Sequence, residues 1–215
     1  PRETDRRVQL QLVETVAALR APTTPEAVAW LTAIATGNFD DAVRERAIVR
    51  LGKARDATAA GTLVTLLGDS QWTIACVAAV SLGKTKADNA FEPLAKLLQH
   101  AEWTHRGAAV VGLMHWNRAA AFELLIGMLG DQNQVVAGAA HAALQTMSLQ
   151  FGLGTKEKAW RTWWDANKAT HQFVDRSESI DNIKKYGYAV PDTEIYQGLD
   201  VIVFASRGAH VEQLL

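Results

Sequence analysis

Leucine and alanine recur along this chain at one fixed interval. Leu51, Leu82, Leu113 and Leu144 are evenly spaced, and Ala47, Ala78, Ala109 and Ala140 keep the same step of thirty-one positions. A second register repeats it: Leu63, Leu94 and Leu125; Leu66, Leu97 and Met128; Leu67, Leu98 and Leu129. Polar breaks such as Gly68-Asp69-Ser70 and Gly130-Asp131-Gln132 separate the apolar stretches and suit tight turns between antiparallel neighbours. A period of this length marks repeated units, each unable to bury its apolar face alone and burying it by stacking on the next.

Within each period the apolar positions follow helical spacing. The pattern predicts helix pairs at Asp41–Lys53 with Ala57–Leu67, Trp72–Lys84 with Asn89–Leu98, and Trp103–Trp116 with Ala119–Leu129. A further helix over Val135–Met147 pairs with a last one over Lys156–Asn167. Before them, Val8, Leu12, Val16 and Leu19 predict a helix that stops near Ala21–Pro22. Thr24 offers an N-cap, Pro25 a first-turn residue, and Ala27–Ala35 a second helix. This first copy precedes the next by one position more than the repeat step, which places an extra residue near Gly37-Asn38-Phe39. The fold class is all-α: a right-handed α-solenoid of about five antiparallel helix pairs over residues 1–168.

Val43-Arg44, Ala47, Leu51-Gly52-Lys53, Leu63, Leu66-Leu67 and Asp69 spell a V-R-x-x-A-x-x-x-L-G-K helix followed by L-x-x-L-L-x-D. This resembles HEAT repeats of the short bacterial type named for phycobilisome lyases. The resemblance covers roughly residues 5–168, and its columns drift: the Val-Arg pair stands only at Val43-Arg44, and Leu-Gly becomes Leu113-Met114 and Leu144-Gln145. It implies a concave face, built by the second helix of each repeat, that binds a partner.

Past residue 168 the helical period is lost. Residues 169–198 read as a linker, and 199–215 as a strand, turn and helix start, with the apolar run Leu199–Phe204. That pattern suits the opening of an α/β domain cut short, or a tail that folds back on the helices. Trp160, Trp163 and Trp164 share one helical face and are expected to close the last leucine layer.

Charge narrows the function classes little: 22 basic residues meet 23 acidic ones, so no global field favours nucleic acid or an anionic membrane. No apolar run nears the roughly 18 residues of a membrane span. The chain starts at Pro1 rather than Met, a start consistent with a targeting segment already removed, so the compartment is left open between cytoplasm and periplasm for an expected soluble protein. Cys76 stands alone, and the six histidines form no H-x-x-x-H pair, so no catalytic residue, metal site or cofactor is expected.

Two surfaces are candidates for binding. The concave face would carry Thr58, Thr62 and Thr65, which correspond by the repeat to Asn89, Pro93 and Lys96 and then to Ala120, Leu124 and Gly127, with Glu92 and Glu123 beside them. A groove of this mild polarity suits a protein or peptide partner. The second surface is a basic edge of Lys53, Lys84 and His115 at one repeat position, Arg55 and Lys86 at another, and Arg118 nearby. Cations favour helix C-termini in any case; as a contact surface the edge would take phosphate or an acidic partner. The expected function is a non-catalytic protein-binding scaffold. The alternatives are nucleic-acid binding through the basic edge, or a bilin-lyase-like enzyme, the latter implied by the repeat type alone.

Overall fold

The computed structural model describes residues 5–19 and 24–173, with only the backbone described at residues 14 and 16–19. Among the described residues there are ten α-helices, one 3-10 turn and no strand. The expected strand and helix start at 199–215, and most of the expected linker, lie outside the described residues. The chain divides into two compact units, the first ending at His115 and the second beginning at Trp116.

The first unit contains α1 (Arg6–Leu19), α2 (Pro25–Thr36), α3 (Asp41–Leu51), α4 (Ala57–Leu66), α5 (Trp72–Thr85), α6 (Phe91–Leu97) and α7 (Trp103–Leu113). Helices α2, α3 and α4 start where capping side chains satisfy the first free N–H groups. The Thr24 hydroxyl accepts from Ala27 N at 3.3 Å, and Pro25 occupies the first turn of α2. Asp40 accepts from Ala42 N at 3.0 Å, and Asp56 from Thr58 N and Ala59 N at 2.9 and 3.0 Å. The one-residue insertion falls between Thr36, where α2 ends, and Asp41, where α3 begins. The expected helix Asn89–Leu98 opens instead as a 3-10 turn, Asp88–Ala90, and α6 runs only from Phe91 to Leu97. Pro93 falls at the third position of α6, where a missing N–H costs least.

Successive first helices pack side by side, α1 on α3, α3 on α5 and α5 on α7, and second helices likewise, α2 on α4 and α4 on the 3-10 turn. The periodic columns are the core: Ala47, Ala78, Ala109, Leu51, Leu82, Leu113, Leu63 and Leu94 are all fully buried. The outermost column is looser, for Leu98 is buried while Leu67 is half-buried. Helix α5 is covered on every side, with each residue from Ile74 to Gly83 buried, as a helix flanked by α3, α4 and α7 must be.

A close approach of backbones fixes the spacing of first helices. A Cβ on Gly83 would lie 2.1 Å from Gly112 O and 2.5 Å from Gly112 C and Cα. One on Gly52, the same repeat position, would lie 2.8 Å from Ser81 Cβ and O. The glycine of Leu-Gly therefore packs against a small residue two positions short of its own repeat partner, a pairing hidden from a search at the repeat period. Gly83→Ala is expected to destabilise by about 1–3 kcal/mol, since the atoms it would meet are backbone and α5 and α7 must separate. Gly61→Ala, inside α4 with no atom near the new Cβ, is expected to stabilise by about 0.5–1 kcal/mol. Urea midpoints of the two variants moving in opposite directions check both.

The second unit contains α8 (Ala119–Met128), α9 (Gln134–Ser148) and α10 (Glu157–Asn167), with α8 packed on both others. Asn133 caps α9 by accepting from Val135 N at 2.9 Å. Ala140, Leu144 and Leu125 continue the columns and are fully buried. Trp160 and Trp164 are buried and Trp163 half-buried around Phe122, with ring centroids 6.1, 4.6 and 6.0 Å from it. His171 and Phe173 join the same cluster, Phe173 5.8 Å and His171 6.3 Å from Phe122, so the chain stays against this unit to the end of the described residues. Among the described residues no helix is long and apolar enough to cross a membrane.

Candidate functional site

The second helices of the first unit place most of the expected partner-binding residues on one surface. Thr58, Thr65, Asn89, Glu92 and Lys96 are exposed and Thr62 is half-buried. Thr62 Oγ1 lies 3.1 Å from Thr32 Oγ1, a hydroxyl pair joining α4 to α2. Thr65 donates to Gly61 O at 3.2 Å and Thr36 to Thr32 O at 2.8 Å, bonds one turn back along each helix that leave the oxygen lone pairs as acceptors. Asn89 Nδ2 reaches Ala57 O at 3.5 Å, tying the 3-10 turn to the start of α4. Glu92 and Lys96 pair at 3.8 Å one turn apart, both well exposed. Such a pair contributes little to stability and leaves the surface near neutral. Thr32 and Thr36 extend the row and were missed by a reading that began with the second repeat; their offsets from Thr62 and Thr65 fall just short of the repeat step, which hides them.

Glu123 and Leu124 belong to the second unit. Leu124 is half-buried on α8. Glu123 is exposed, and its Oε1 accepts the indole N–H of Trp164 at 3.0 Å, which ties α8 to α10. The separation of these two residues is no multiple of the repeat step, so the pattern gave no signal of their contact.

The basic edge also departs from a row of solvated cations. Lys53 and Arg55 are exposed, whereas Lys84, Lys86, His115 and Arg118 are half-buried. Burial, and then the charge of Lys53, lowers the Lys84 ammonium to about 8. Burial, then Lys84 and Lys86, lowers the His115 imidazole to about 4, so it is neutral at physiological pH. In the second unit the Arg118 guanidinium lies 4.4 Å from the centre of the Trp116 ring, a cation–π contact.

The lowered imidazole makes stability depend on pH with a definite sign. A group whose folded pKa lies below its unfolded value binds fewer protons when folded, so stability falls as pH drops. For His115 the window runs from about 6.5 down to about 4. Up to roughly 3 kcal/mol is expected to be lost across it. Urea midpoints at several pH values, compared with a His115→Phe chain that removes this contribution from the slope, check the sign and the size.

Several other ionisable groups hold the turns between helices. Arg44 forms an ion pair with Asp69 while donating from Nε to Ala35 O at 3.0 Å, which fixes the turn before α3. Burial raises the Asp69 carboxyl, but the hydrogen bonds from Arg44 and the Gln71 N–H, with the charge of Arg44, outweigh it and hold it below its ordinary value. Arg106, two repeats on from Arg44, donates to His100 O and Ala101 O at 3.0 and 2.8 Å in the same role. Asp131 accepts from Asn133 N at 2.8 Å, as Asp69 does from Gln71 N at 2.9 Å. Burial pushes the Cys76 thiol up to about 12 against a hydrogen bond from Thr104, so it is inert as a nucleophile. Among the described residues no three His, Cys, Asp or Glu side chains converge on a point that would hold a metal ion.

Compared with known proteins, the chain matches the family model described as HEAT repeats over residues 28–102 and 60–145, together more than half of its length. No curated protein matches it.

Proposed function

The chain belongs to the HEAT-repeat family, and from that premise we propose that it is a non-catalytic scaffold holding a protein or peptide on the face of its second helices. The supporting observation is the exposed row of hydroxyl and amide groups on α2, α4 and the 3-10 turn, bridged by the Thr32–Thr62 contact. Those oxygens accept hydrogen bonds from peptide N–H groups, and the Glu92–Lys96 pair adds opposite charges at its margin without a net field. A uniformly basic surface, which nucleic acid would require, is a poorer description of this face.

A test is capture of partners from the native source by the full chain, at low and high salt and after nuclease treatment. The expected result is a protein that survives both treatments and is lost from a Thr65→Arg/Asn89→Arg chain, whose added cations and bulk block the row. Capture abolished by nuclease or salt, or unchanged by the double substitution, would overturn the reading.

A further inference from the structure

Two imidazoles meet face to face at the turn between α6 and α7. The rings of His100 and His105 stack with centroids 4.0 Å apart and planes 20° from parallel. His100 is exposed in the turn, whereas His105, the third residue of α7, is buried. The stack sits where the turn is closed by hydrogen bonds. His100 Nδ1 accepts the Glu102 N–H at 3.1 Å, which puts the ring's own proton on Nε2. His105 Nδ1 lies 3.4 Å from the Thr104 hydroxyl, which also bonds Cys76 of α5. Arg106 holds the backbone of the turn, donating to His100 O and Ala101 O at 3.0 and 2.8 Å. On the other side Gln99 N and His100 N donate to Lys96 O and Leu97 O at 3.0 and 3.1 Å, tying the turn to α6. The elements of the first unit packed on α7 are α5 and α6. From α5 the titratable groups are Cys76, behind Thr104, and Lys84, about 12 Å further along the helix. From α6 they are Glu92 and Lys96, which pair with each other at 3.8 Å. Burial, and then the charge of His100, holds the His105 imidazole below its ordinary value, with Glu102 opposing them only in part.

We propose that the His100–His105 stack is a proton-operated latch on the turn between α6 and α7, shut while both rings are neutral and opened by a proton on His100. A protonated His100 carries N–H at both ring nitrogens, so its Nδ1 no longer accepts from Glu102 and turns a donor toward a donor. The ring must swing away from the turn to be solvated. Its departure uncovers His105, which takes a proton in water more readily than in its buried place. Two imidazolium rings cannot return to a 4.0 Å stack, so the second proton holds the latch open. The sign follows from linkage: the closed turn binds fewer protons than the open one, so it loses ground as pH falls below the ordinary histidine range near 6.5. The latch does not depend on the partner-binding reading of the second helices.

The test is NMR on the full chain between about pH 7.5 and pH 5, following hydrogen exchange at the Glu102 amide and the contact between the two rings. Exchange at the Ala109 amide, in the buried middle of α7, is the internal reference for any general loosening. The latch predicts that Glu102 loses at least about tenfold of its protection relative to Ala109 across this range, and that the ring contact seen at neutral pH disappears in acid. His100→Asn separates the proton from the hydrogen bond. The position is exposed, so folding is not at stake, and the amide oxygen accepts the Glu102 N–H without titrating. In that chain Glu102 should stay protected down to about pH 5. Glu102 protection that does not change with pH, a ring contact that persists in acid, or an equal loss of protection in His100→Asn would overturn the latch.

Discussion

Trp160→Ala is expected to lose about 3–5 kcal/mol of stability. The Trp160 side chain is fully buried, and its indole N–H donates to Gly154 O at 2.8 Å. Its ring lies 6.1 Å from Phe122, 6.4 Å from Trp163 and 6.0 Å, edge-on, from His141. Truncation removes a fully buried indole, leaves a cavity among rings that cannot all close on it, and strips the Gly154 carbonyl of its donor. Trp163→Ala, at a half-buried position, should cost distinctly less. Chemical unfolding followed by far-ultraviolet circular dichroism separates the two. Equal losses would mean that the aromatic cluster does not close the helices as described.

Leu82→Ala is expected to cost about 2–5 kcal/mol. Leu82 is fully buried in α5, the helix whose neighbours are α3, α4 and α7. Because α5 contacts partners on all sides, no single neighbour can relax into the cavity without leaving another gap. In a repeat array stability is close to a sum of unit and nearest-neighbour contributions, so weakening one layer lowers cooperativity as well as the midpoint. Leu67→Ala, at a half-buried position of the outer column, is the matched control and should cost less. A broadened transition in Leu82→Ala but not in Leu67→Ala is the expected signature.

Much of this fold was readable because burial in a stacked array repeats with the array. Ala47, Ala78 and Ala109, or Leu51, Leu82 and Leu113, occupy the same place in successive units, and each is fully buried. Caps were legible for the same local reason, as at Thr24 and Pro25. What escaped the sequence depends on contacts that break the period. Gly83 meets Gly112 just short of one repeat, and Glu123 meets Trp164 well beyond one. The depth of Lys84 and His115 follows from how closely the turns stack, which the column position alone does not set. The 3-10 turn at Asp88–Ala90 is likewise local to one repeat.

The candidate surfaces were legible to different degrees. Thr58, Thr65 and Lys96 are exposed on the second helices, since outward positions of a helix follow from the inward ones, and Asn89 is exposed on the 3-10 turn before α6. Along the basic edge nothing in the sequence signalled that Lys84 and His115 are half-buried, which lowers the pKa of each.

The most direct test of the scaffold reading is site-specific photo-crosslinking of the full chain in its native source. A photoreactive residue at Thr65, on the exposed face of α4, is compared with one at Arg46, exposed on α3. The reading predicts a discrete protein adduct from position 65 that survives nuclease and high salt, and none from position 46. Adducts from position 46 alone, or equally from both, would contradict it and move recognition away from the second helices.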